Sequence, residues 1–128
     1  MRRLLLLMLL PLMPMPAIAG DRMWHGPGDG EVRTYLEVKE KTKDVVVLES
    51  SMIMGSKEWK GARHKVIIDC PNKTLIADYK SHQVVWKADG NLWYTDSFKH
   101  RDRMYSSSIS VDYNFGCLGE LPEDGHYF

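Results

Sequence analysis

The stretch KVIIDCPNKTLIADYKS, Lys65 to Ser81, sets two apolar runs on either side of a turn and closes the first with a cysteine. Val66, Ile67 and Ile68 are β-branched, and a short β-branched run bounded by turn residues reads as a strand. Pro71 and Asn72 turn the chain, since Pro presets φ and Asn hydrogen-bonds its own backbone. Leu75, Ala77 and Tyr79 then alternate with Ile76 and Asp78, the period of a half-buried strand. The stretch predicts two antiparallel strands with Cys70 at their junction.

The same period extends both ways. EVRTYLEVK places Val32, Leu36 and Val38 on one face and Arg33, Tyr35 and Glu37 on the other. After the charged turn KEKTKD, the run VVVLES (45–50) reads as another strand, and SMIM either continues it or begins a short third one. GSKEWKGARHK (55–65) has no clean period and reads as an exposed loop or hairpin tip. Downstream, QVVWK and LWYT flank Asp89-Gly90-Asn91, a strong turn signal. In YSSSISVDYNFGC, apolar groups at Ile109, Val111, Tyr113 and Phe115 favour a strand, while Ile109 and Tyr113 also fit the i, i+4 spacing of a short helix. The tail LGELPEDGHYF has no period and reads as frayed. The sum is a mainly β domain of the α+β class: one antiparallel sheet with a little helix.

The first 19 residues read differently. Arg2 and Arg3, the unbroken Leu4 to Leu10 run and Ala17-Ile18-Ala19 are the three parts of a secretory signal peptide, with cleavage expected between Ala19 and Gly20. A spanning helix needs roughly 20 apolar residues, and here Pro11, Pro14 and Pro16 end the run at about half that. No cysteine stands directly after the cleavage point to carry a lipid, so a lipid anchor is not expected. Removing 19 of the 128 residues leaves 109, one domain (20–128, core about 24–117), with 15 basic against 17 acidic groups. That balance argues against a general nucleic-acid binder, which needs a cationic excess to displace counterions.

Two cysteines remain, Cys70 and Cys117. In an oxidising compartment a lone pair of thiols has one possible pairing, and a disulfide is the expectation. A metal site would want more ligands at spacings such as C-x-x-C, and a nucleophilic thiol a nearby base. Neither a catalytic constellation nor a cofactor site is read. The five histidines (25, 64, 82, 100, 126) match no local ligand motif, and His100-Arg101-Asp102 resembles a kinase triplet in letters only. Trp24, Trp86 and Trp93, with Tyr79 and Tyr94, are simplest as core.

Two basic clusters are the candidate binding loops: Lys57, Lys60 and Arg63 around Trp59, and Lys99, His100, Arg101 and Arg103. Their charge would suit an acidic or polyanionic partner, and Trp59 adds the apolar area common at interface anchors. An exposed edge such as VVVLES could pair with its copy to make a homodimer.

The order of these features resembles the surface-adhesin protein E family of small secreted bacterial proteins. It is carried by an early Trp24, then EVRTYLEV, DVVVLESSMIM, VIIDC, TLIADYKS, NLWYTDSF and a last Cys117. The resemblance implies an antiparallel sheet flanked by a little helix, a Cys70 to Cys117 disulfide, a short helix before the last cysteine, a Gram-negative envelope and no enzyme activity. The expected function is a non-enzymatic periplasmic or secreted binding module of unknown ligand. The rival is an inhibitor or immunity protein that blocks a secreted hydrolase or toxin, with GSKEWKGARH as its plug.

Overall fold

A computed structural model describes residues 20–26, 32–54, 57–98 and 102–128, with the backbone alone at 54 and 57–62. The expected signal peptide, Ala19 included, lies outside the described residues. The strands are β1 (Arg22–His25), β2 (Val32–Lys41), β3 (Val45–Met54), β4 (Lys57–Asp69), β5 (Thr74–Asp78), β6 (Gln83–Asp89), β7 (Leu92–Thr95), β8 (Met104–Ser106) and β9 (Gly125–Tyr127). They form one antiparallel sheet in the order β8-β7-β6-β5-β4-β3-β2-β1-β9. From β1 to β8 each strand therefore pairs with its sequence neighbour, and β9 returns to close on the free side of β1.

The expected alternation sets the faces. Leu36, Val46, Leu48, Val66, Ile68, Leu75, Ala77, Val84, Trp86 and Trp93 are buried on one side. Register brings Leu48 opposite Val66 and Ile68 opposite Leu75, so the inward set is continuous across the strands. Helix α1 (Ser107–Tyr113) and a π-helical turn (Asn114–Leu118) cover this face with Ile109, Asp112 and Phe115. Gly116 lets the cover come close: a Cβ there would stand 3.1 Å from Ile68 Cδ1 and 3.3 Å from Val46 Cγ1. The opposite face of the sheet carries no second layer among the described residues.

Cys70 and Cys117 form the disulfide, with Cα atoms 5.8 Å apart and a sequence separation of 47. It joins the turn after β4 to the π-helical turn, so the cover is tied covalently to the sheet it packs on. Around Pro71 the Asp69 carboxylate accepts from Asn72 N (3.3 Å) and Asn72 Nδ2 (2.8 Å), which fixes the turn locally. Lys73 completes it with φ 49°, a left-handed conformation that costs a side-chain-bearing residue about 1–2 kcal/mol.

Three sequence expectations are corrected and one open reading is settled. Residues 57–65 are strand, not loop: Met52, Ile53 and Met54 pair with Trp59, Glu58 and Lys57, and a register shift next to Ser50 had broken the visible period. The segment 107–113, for which the sequence leaves strand and helix open, is helix, because Ile109, Asp112 and Phe115 recur at threes and bury one side against the sheet. The tail is held in part, as β9 pairs with β1 from Met23↔Tyr127 to His25↔Gly125. The run VVVLES lies in β3, which is paired on both sides, so it is no edge and offers no dimer route. Of the aromatic residues expected in the core, Trp86 and Trp93 are buried, whereas Trp24, Tyr79 and Tyr94 are not.

Candidate functional site on the open sheet face

Strand parity decides which side chains reach the open face. Those opposite to the core set are Arg22 and Trp24 on β1, Arg33, Tyr35 and Glu37 on β2, Glu49, Ser51 and Ile53 on β3, and Arg63 on β4. Register places Arg22 opposite Glu37 and Trp24 opposite both Tyr35 and His126. The result is a field of rings and guanidinium groups. Arg33 lies 4.6 Å from the Trp24 ring, Arg22 lies 5.0 Å from the Phe128 ring, and Phe128 meets Tyr35 edge to face at 5.3 Å. Such cation–π contacts contribute about 0.5–1 kcal/mol each at exposed positions and hold the guanidinium planes in place.

Between them is a hollow of about 430 Å³, lined chiefly by Arg22, Tyr35, Glu37, Arg63 and Phe128, with Lys39 and Glu49 at its sides. Its charges are unequally compensated. Lys39 pairs with Glu37 at 3.1 Å and Arg63 with Glu49 at 3.5 Å. Arg22 has the Phe128 ring against it and, although Glu37 is opposite in register, no carboxylate within ion-pairing distance among the described residues. The exposed pairs contribute at most about 1 kcal/mol each, so an incoming carboxylate can exchange with them at little cost.

The expected binding residues divide over this face. Arg63 lines the hollow. Lys57, Trp59 and Lys60 lie in β4 near its start, with side chains outside the described residues. Arg103 sits at the far side of the sheet, 4.5 Å from the Tyr94 ring and 3.7 Å from Asp89. Lys99, His100 and Arg101 lie outside the described residues. Tyr94 is in register with Lys87, and the chain of partners through Thr74 reaches Asp69, six residues along β4 from Arg63. At about 3.3 Å per residue and 4.8 Å per strand, Arg63 and Arg103 stand over roughly 20 Å apart. Arg63 and Arg103 therefore belong to separate parts of the surface.

Arg22, Tyr35 and Phe128 escaped notice as site residues. Tyr35 was legible as part of the outward set with Arg33 and Glu37, but nothing local marks the tail as a strand that would bring Phe128 beside β1. The histidines are partly gathered: His64 and His82 each stack on Tyr79, at 4.4 and 5.2 Å. His25 Nδ1 is 4.0 Å from Asp124, and burial lowers its pKa against the opposing pull of that carboxylate. No group of three or more His, Cys, Asp or Glu among the described residues could hold a metal ion. No described helix is long and apolar enough to cross a membrane. Comparison with protein-family models, with curated proteins and with solved structures finds no match for this chain.

Proposed function

We propose that the protein is a non-enzymatic binding module of the periplasm or the cell exterior, of the surface-adhesin protein E kind, which takes an acidic partner on the open face of its sheet. The observation that carries this reading is the hollow lined by Arg22, which has no carboxylate within ion-pairing distance among the described residues, by Arg63 and by the rings of Tyr35 and Phe128. Guanidinium groups suit carboxylate and sulfate geometry, and rings add contact area at low entropic cost. The disulfide suits an oxidising compartment. Retention on immobilised heparin, as a polyanion probe, tests the reading. The double reversal Arg22→Glu with Arg63→Glu should weaken binding at least about tenfold, roughly 1.4 kcal/mol. Retention unchanged by the reversal, at equal folded content by circular dichroism, removes this face as the site.

One observation favours the rival reading. Residues 57–64 of β4 pair with β3 alone, because β5 begins opposite Asp69 and ends opposite Lys65. Strand β4 thus extends past β5, while β2 accompanies β3 as far as Val32↔Met54, so the end that could enter a cleft is a three-stranded one. Inhibition of a wall hydrolase such as lysozyme by the purified protein would support an inhibitor; no protection in that assay counts against it.

A further inference from the structure

The other hollow of interest lies on the helix side of the sheet, between segments that the disulfide ties together. It has a volume of about 400 Å³ and is walled by Lys73, Asn91, Trp93, Ser110, Tyr113 and Asn114. Three separate elements meet there: the turn after β4 supplies Lys73, the β6–β7 turn supplies Asn91, and the cover supplies Ser110, Tyr113 and Asn114. The Cys70–Cys117 bridge joins the first of these to the last, with Lys73 three residues beyond one half-cystine and Asn114 three before the other. Two of the three walls are therefore tied to each other before anything binds, which lowers the ordering cost of binding.

The chemistry of the lining is specific. Lys73 is its one charged residue, and no ion pair among the described residues includes it. Its Nζ lies 6.0 Å from the Tyr113 ring centre, at the outer limit of a cation–π contact. Asn91 and Asn114 make no side-chain hydrogen bond among the described residues, so both amides are open to a ligand. Ser110 Oγ donates to Ser107 O at 2.6 Å and keeps its lone pairs. Trp93 and Tyr113, 5.2 Å apart, supply an aromatic wall.

Two backbone features sit at the same place. Lys73 occupies a left-handed conformation that glycine or asparagine would fill with less strain. The helix changes from α to π at Asn114, and such π-turns occur often at functional sites. A single positive charge, two free amides and a ring wall are what a monoanion with an apolar or aromatic body requires. A dianionic phosphate would be half compensated.

We propose that this hollow is a binding site for a small monocarboxylate bearing a ring or a compact apolar group, with the carboxylate on Lys73 and the amides of Asn91 and Asn114, and the body against Trp93 and Tyr113. The volume is more than twice that of a cavity of roughly 150 Å³ known to hold benzene, so a molecule of amino-acid size fits. The site is separate from the open-face hollow, and its success or failure leaves the open-face reading unchanged.

Titration of the purified, oxidised, isotope-labelled protein with phenylacetate, followed by amide NMR shifts, tests it. Saturable shifts should appear at Asn91, Ser110 and Asn114, with phenylacetamide binding at least about tenfold more weakly. Lys73→Gly is the informative variant, because it removes the charge while relieving the left-handed strain and so preserves the fold. It should lose at least about tenfold in affinity for phenylacetate. Equal affinity for the acid and the amide, equal affinity in Lys73→Gly, or no saturable shift at about 10 mM phenylacetate would each overturn the assignment.

Discussion

Asp112 is the one carboxylate buried under the helix, 8 % exposed, and among the described residues it has neither a cation nor a hydrogen-bond donor as partner. Burial alone pushes its pKa from 3.8 to about 7. Between those values the unfolded chain has ionised Asp112 while the folded protein still holds the proton. Stability is therefore full below about pH 4, falls as pH rises toward 7, and levels off above it. The shift of about three pH units, at 1.36 kcal/mol per unit, corresponds to an order of magnitude of about 2–4 kcal/mol. Asp112→Asn removes the titration while keeping the shape. Urea unfolding at pH 4 and pH 8 should show the variant close to the parent at the lower pH and more stable by about 2–4 kcal/mol at the higher one. Tyr79 supplies an independent readout, since burial and the Asp112 charge both raise its pKa above 10, and the variant removes the second cause. An Asn-for-Asp difference that is the same at both pH values would refute the reasoning.

Reducing the Cys70–Cys117 bridge, which closes a loop of 47 residues, should cost about 4 kcal/mol in the chain-entropy treatment, read from urea midpoints with and without reductant. A free thiol in the native protein would contradict the bridge. Gly116→Leu should destabilise by about 1–3 kcal/mol through overpacking, because even a Cβ there meets the Ile68 and Val46 methyl groups; a neutral thermal melt would show that the helix can move away. The His25 ring, followed by NMR, should titrate below 6.5, so that the stability tied to its neutral form is lost as pH falls.

The sheet was legible wherever a strand is buried on one face only. VIIDC and TLIAD declare period and turn together, and their register in the fold follows the pattern directly. The first half of β4 was illegible because a register shift beside Ser50 interrupts the alternation, and because long polar residues carry no face signal of their own. The pair of residues between Met54 and Lys57, Gly55 and Ser56, was the available clue, since Gly-Ser between two strands is a hairpin signal. The helix was obscured by composition: Ser, Ile and Val have weak helix propensity, and tertiary burial of Ile109, Asp112 and Phe115 overrides it. Of the open-face hollow, Arg63 was found from charge clustering. Arg22 and Phe128 were not, because they meet only through β9, a three-residue pairing that no local pattern announces.

The position of the bridge also decides how the molecule bears tension. Strands β5 to β8 and helix α1 all lie between Cys70 and Cys117, so a pull applied outside that interval is carried through the sulfur atoms and bypasses them. The 46 enclosed residues represent about 160 Å of chain that cannot be drawn out while the bridge stands. Strands β1 to β4 and β9, which hold the open-face hollow, are on the force path and would yield first. Under drag, the domain would lose its arginine and ring surface before the core beneath the helix extended.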